Sequence, residues 1–192
     1  MIISAARRFI FVHIPKTGGT SMSLALEQRA ARDDMMLGDT PKALKRRRKL
    51  SETTAHGRLW KHATLADIDG LVTAEQLDQM FCFTLVRNPW DRIVSYYHWL
   101  QDQSFDHAAV ALAQSLTFED FACHPRIMAS FHANSARVYM TDARGQMRAS
   151  AFVRLENLAE DLAPIEAHLG FSLEIGHQNR SDRSQDWRGY YS

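Results

Sequence analysis

FIFVHIPKTGGTSMSLAL, Phe9 to Leu26, reads as a strand, a tight glycine turn and a helix. Phe9 to Ile14 is apolar and rich in β-branched and aromatic side chains, with His13 its one polar residue. A strand buried on both faces has this pattern. Pro15 cannot donate to a ladder and ends the strand. Gly18 and Gly19 admit positive φ and let backbone N–H groups converge on one point. Thr20 or Ser21 then caps a helix that carries Met22, Leu24, Ala25 and Leu26. A helix N-terminus with hydroxyls and Lys16 beside it is an anion site, most naturally for a phosphate. A glycine turn with no ligand is the alternative reading.

Outward from this stretch, two more strands are legible. Phe81 to Val86, FCFTLV, is a second buried strand, followed at once by Arg87-Asn88-Pro89. Asn88 suits an N-cap and Pro89 the first helical position, so a helix starts there. Trp90, Ile93, Val94, Tyr97 and Leu100 recur at helical spacing and predict a core-facing stripe. Asp91, Arg92, Ser95 and His98 make the polar face. Arg87 and Ser95, a guanidinium fork and a hydroxyl, suit a dianionic phosphate. The competing reading pairs Arg87 with Asp91 and leaves Ser95 in water. Ala151 to Leu155 is a third strand, and a helix follows with Leu158, Leu162, Ile165 and Leu169 on one face, stopped by Gly170. Arg154 reads as a core-edge ion pair.

Between these elements the patterning is weaker. Residues 33–57 are polar, and the run KRRRK at Lys45–Lys49 predicts a mobile basic insertion. The basic segment 42–50 reads first as a solvated helix face, and otherwise as a docking strip for an anionic polysaccharide. Leu59 to Met80 predicts two short helices, the second opened by a Thr73–Gln76 capping box. Thr117 to Phe121 reads as a short capped helix.

Composition bounds the answer. With 192 residues, 45% hydrophobic and 23% charged, the chain is sized for a single α/β domain spanning 1–192. A net charge of +1 gives no global pull toward nucleic acid or membrane. Cys82 and Cys123 lie far apart, and Cys82, inside an apolar run, reads as a buried thiol. No signal peptide or spanning segment is visible, which predicts a cytoplasmic protein with no integral membrane segment.

The order of PKTGGTS is informative. An ATP-binding loop places its lysine after the glycines, whereas Lys16 precedes them. That order resembles the 5′-phosphosulfate loop of sulfotransferases that use 3′-phosphoadenosine 5′-phosphosulfate (PAPS). VRNPWDRIVSYY resembles the 3′-phosphate motif of the same family and lies downstream in the right order. RLENLAEDL and the tail HQNRSDRSQDWRGYY resemble family segments too, with Gly176 where proline is usual. The chain is thus similar to carbohydrate sulfotransferases of the Golgi type, including the heparan- and chondroitin-like enzymes, in a short bacterial-type form.

The resemblance implies a three-layer, P-loop-like α/β fold, with a central mainly parallel sheet flanked by helices and its ligand site at the carboxyl ends of the strands. It implies sulfuryl transfer from PAPS to a hydroxyl, on a glycan or polysaccharide, with adenosine 3′,5′-bisphosphate (PAP) as product and no metal. Lys16 would contact the bridging oxygen. Thr17, Gly18, Gly19, Thr20 and Ser21 would cradle the 5′ end, and Arg87 and Ser95 the 3′-phosphate. Asn179, Arg180 and Ser181 would close over the nucleotide. His62 occupies the place of the family's base, with Lys61 where many relatives have glycine; His56 is the fallback. Two other readings stand beside this one. A kinase-like phosphotransferase would need a Mg²⁺ carboxylate where the second strand ends in Arg87. A non-catalytic nucleotide- or polysaccharide-binding module would need no base.

Overall fold

In the computed structural model, residues 1–50, 53–176 and 186–191 are described, Arg48 and Lys49 by their backbone alone. The chain forms two compact units, Met1–Val86 with Ala136–Gln178, and Arg87–Ser135 with Asn179–Ser192.

The first unit holds the sheet. Its elements are β1 (Ile2–Ser4), β2 (Phe9–Val12), α1 (Gly19–Gln28), β3 (Met35–Met36), α2 (Pro41–Arg46), α3 (Ala74–Asp78) and β4 (Phe81–Val86). The spatial order of the sheet is β3-β1-β2-β4-β5, where β5 is Ala151–Arg154. β4 pairs in parallel with both β2 and β5, and β1 pairs antiparallel with β2 and β3. Among the described residues, β1 alone therefore runs against the others. Val12 lies opposite Thr84, so the chain leaves β2 and β4 at the same, carboxyl end of the sheet.

Alternation along the strands divides the core in two. Phe9, Phe11, Phe83 and Leu85 point to one face, where they meet Met22, Ala25 and Leu26 of α1 and Ile165. Ile10, Val12 and Cys82 point to the other, against Ala63, Leu65, Ile68, Val72, Leu77 and Met140. A sheet covered on both faces is the expected three-layer arrangement. The strand β2 is apolar at every position because both of its faces are buried. Phe11 and Phe83 are fully buried, with rings 5.3 Å apart. Truncating either to alanine would cost about 3–5 kcal/mol. The Cys82 thiol is free, and burial pushes its pKa up to about 12.

Segment 33–57 contributes the edge strand β3 and the helix α2, with Ala43 buried. Two of its cations are committed locally. Lys42 Nζ donates to Glu27 O, and Arg46 donates to Ala31 O at 2.7 Å, both near the C-terminal end of α1. Cations are favoured there because the last helical carbonyls lack intrahelical donors.

The expectation of two helices between Leu59 and Met80 needs correction. α3 forms with the full Thr73–Gln76 capping box, but residues 61–70 are turns. Asp67 starts a turn that does not continue. It exchanges bonds with Thr64, its carboxylate accepting from Thr64 N at 2.7 Å and its N–H donating to Thr64 Oγ1 at 3.1 Å. This cap opens one turn, which Gly70 at φ 86° ends before a helix can run on. The helix after β5 is also broken. α8 (Ala136–Tyr139) precedes β5, and α9 (Leu158–Asp161) and α10 (Ala163–Leu169) follow it. Pro164 stands in the first turn of α10, where a missing N–H is tolerated, and Gly170 caps it at φ 75°.

The second unit is helical: α4 (Pro89–Gln101), α5 (Ala108–Ser115), α6 (Phe118–Cys123) and α7 (Pro125–Ala133). Ile93, Tyr97 and Leu100 of α4 pack with Val110, Phe121 and Ile127. Asn88 caps α4 and Thr117 caps α6, as the sequence predicts. Trp90 departs from the predicted stripe. It is 57% exposed, and its ring meets Tyr191, whose hydroxyl donates to Trp90 O at 2.9 Å. Among the described residues, no helix is long and apolar enough to cross a membrane.

Candidate active site

The turn after β2 carries the backbone geometry of an anion cradle. Lys16 has φ 64° and Gly18 has φ 86°. For Lys16 this left-handed conformation costs about 1–2 kcal/mol, a strain that concentrates at functional turns. Successive N–H groups in such a turn point inward. Thr17 is buried, and its Oγ1 donates to Ile14 O at 2.9 Å, closing the turn on itself.

The helix begins earlier than the hydroxyls suggest. Gly18, not Thr20 or Ser21, is the N-cap of α1, and no side chain caps it. A glycine cap leaves the approach to the first N–H groups open, and those of Gly19 and Thr20 have no intrahelical acceptor. The two glycines serve different needs. Gly18 uses positive φ, and a Cβ there would stand 2.9 Å from Leu155 Cδ1. Gly19 is needed for close approach: a Cβ there would fall 2.0 Å from His13 Cδ2 and 2.4 Å from His13 Nε2.

His62 lies against this turn through His13. Its Nδ1 is 2.8 Å from His13 O, and the two rings are edge to face with centroids 4.7 Å apart. Since a carbonyl only accepts, Nδ1 carries the hydrogen and donates. The neutral ring then has its lone pair on Nε2, the tautomer a general base needs. Burial pushes the His62 pKa down to about 4, helped by the Lys61 ammonium and opposed by the bond to His13 O. His62 is neutral at physiological pH chiefly through desolvation, with like charge a smaller cause. His13 is buried too and held well below the usual histidine range. Trp60 stands edge to face with His62 at 5.0 Å, and the Arg58 guanidinium lies over the Trp60 ring. His56, the fallback, is exposed and bonded to Asp69 Oδ2 at 2.8 Å.

Lys61 Nζ pairs with Asp39 Oδ2 at 2.6 Å and depresses the Asp39 carboxyl. That pair ties the segment bearing His62 to the turn before α2. Sequence reasoning passed over His13, although one signal was there: it is the only polar residue in an otherwise apolar strand and its extension.

In the second unit, Arg87 Nε donates to Asp91 Oδ2 at 2.7 Å, so the competing reading of that arginine describes a real pair. Ser95, by contrast, is 5% exposed rather than in water. Arg154 makes the expected ion pair, a fork onto Asp161 at 2.7 and 2.8 Å. Asn179, Arg180 and Ser181 lie outside the described residues. Among the described residues, no group of three or more His, Cys, Asp or Glu is placed to hold a metal ion.

No curated protein matches the chain. Among solved structures, mouse sulfotransferase SULT7A1 in complex with PAP is similar over 99% of this chain and 81% of its own, at 15% identity and a TM-score of 0.45. The model of the sulfotransferase family matches residues 1–186. With that match running through the cradle, β4 and β5, the chain belongs to the sulfotransferase family.

Proposed function

We propose that this protein moves a sulfuryl group from PAPS to a hydroxyl of a carbohydrate, and that residues 1–192 act together as one sulfotransferase domain. One observation carries the reading. A glycine turn with left-handed Lys16 and Gly18, and a histidine whose Nδ1 is held by a carbonyl, are joined through a single residue, His13. The donor's anhydride supplies the reactive sulfur; this chain supplies charge, orientation and a proton acceptor.

Lys16 and the N–H groups of Thr17 to Thr20 stabilise the negative charge that grows on the bridging oxygen as the S–O bond to phosphate breaks. The Ser21 hydroxyl lies one residue further into α1 and adds to the cradle. His62 Nε2 takes the proton of the acceptor hydroxyl as its oxygen bonds to sulfur, and the imidazolium gives that proton to solvent later. A dianion at the turn favours imidazolium, so donor binding raises His62 from about 4 toward the operating pH. Arg87 and Ser95 take the 3′-phosphate, and Asn179, Arg180 and Ser181 close over the nucleotide. The cations of segment 42–50 not used to cap α1 offer an anionic glycan a docking strip. The acceptor class is tested by offering radiolabelled PAPS with a panel of neutral and anionic glycans and simple alcohols. Label on glycans supports the carbohydrate reading, and label on alcohols alone replaces it.

A further inference from the structure

His13 has no part in the chemistry just proposed, yet it touches both halves of it. Its ring edge, Cδ2 and Nε2, lies where a Cβ on Gly19 would be. The other side of the ring meets the His62 ring, 4.7 Å away at 71°. Its carbonyl holds His62 Nδ1. Behind it the Phe11 ring stacks at 6.1 Å and 23°. The ring is confined by the glycine of the turn, the sheet and the histidine that faces the acceptor. A residue in place of Gly19 would displace the ring outright.

We propose that His13 is a positioning residue whose ring, seated on Gly19, sets the imidazole of His62 against the phosphate-binding turn. Gly19, His13 and His62 then act as one mechanical unit, resting on the assignment of His62 as the base. Misplacing a reacting group by about 1 Å can cost about 10²-fold in rate, so a ring moved by one methyl group has consequences at His62. The charged and titratable groups facing His62 are Lys61 beside it, Asp39 of the β3–α2 turn, the Met1 amine at β1, and His13 itself. Substitutions at Gly19 leave Lys61, Asp39 and the Met1 amine in place and displace only the His13 ring, so a change in His62 reports the movement of that ring.

The test is a double-mutant cycle read by NMR on protein labelled in its histidine nitrogens, with the His62 signals assigned by their loss in His62→Ala. In the wild type, His62 should be the Nδ1–H tautomer and titrate far below the ordinary histidine range. In Gly19→Ala, the added methyl pushes the His13 ring away, and His62 should titrate closer to that range while exposed His56 is unchanged. Turnover should fall about 10²-fold, with a smaller change in KM for PAPS. His13→Ala alone, which removes the seat of His62, should lower turnover and shift the His62 signals to a similar degree. Adding Gly19→Ala to it should cost little more, so the two substitutions are strongly non-additive. If Gly19→Ala alone does not fold, His13→Ala carries the same test, with His62 signals shifted and turnover lowered in folded protein. Additive effects, wild-type turnover in His13→Ala, or His62 signals unmoved by either substitution would each overturn the positioning role. Absence of PAP binding and sulfuryl transfer in the wild type would instead overturn the sulfotransfer reading, and the NMR cycle distinguishes the two failures.

Discussion

His62 is half-buried beside Trp60 and His13, and desolvation pushes its pKa down to about 4. The unfolded chain takes up this proton near the ordinary histidine value, the folded chain only near 4. The stability contributed by keeping the ring neutral is therefore fully present above about 6.5 and is lost as pH falls from there through about 4. His13 acts in the same direction. Thermal unfolding followed across that window should show a falling Tm, with a shallower slope in His62→Asn; an unchanged slope contradicts the burial of the ring. In catalysis, His62→Ala should lower turnover by about 10²–10⁴-fold and spare PAP affinity. The acid limb of kcat/KM should lie near 4 in the free enzyme and that of kcat higher. Lys16→Ala should lower turnover by about 10²–10³-fold, with product binding much less affected. Nearly unchanged turnover would remove Lys16 from the bridging oxygen.

At the scale of elements, β2 with its turn and β4 with the start of α4 were legible because apolar strands, a glycine pair and an Asn-Pro helix start are local signals. Two features were not. Gly18 displaced Thr20 and Ser21 as the cap of α1, since a left-handed backbone at Gly18 opens the helix before any hydroxyl can. The turns at residues 61–70 stand where a helix was expected, since Thr64 and Asp67 open only one turn before Gly70, at φ 86°, ends it. The place of His13 was hidden for another reason: its contact with Gly19 depends on tertiary approach. Two predictions belong here. Thr73→Ala removes one half of the α3 capping box and should cost about 1 kcal/mol in urea unfolding, with activity kept. A loss of activity at unchanged stability would give α3 a role in the site. Arg87→Ala should abolish the preference for PAP over AMP in a thermal shift, because the arginine is assigned to the phosphate that AMP lacks. Preserved discrimination would leave Arg87 with its Asp91 pair alone.

At the scale of the whole molecule, the family match over residues 1–186 and the cradle at the end of β2 lead to one reaction. PAP, bound only by the folded protein, should raise stability by about 2.7 kcal/mol at 100 times its dissociation constant. That result establishes binding, and transfer needs its own measurement. The most direct is single-turnover incubation of the purified protein with PAPS radiolabelled in its sulfate and a panel of hydroxyl-bearing glycans. The account predicts label moving onto glycan hydroxyls with equimolar release of PAP, and loss of both in Lys16→Ala and His62→Ala. Label that stays on PAPS with every acceptor, or moves equally well in both variants, would contradict it.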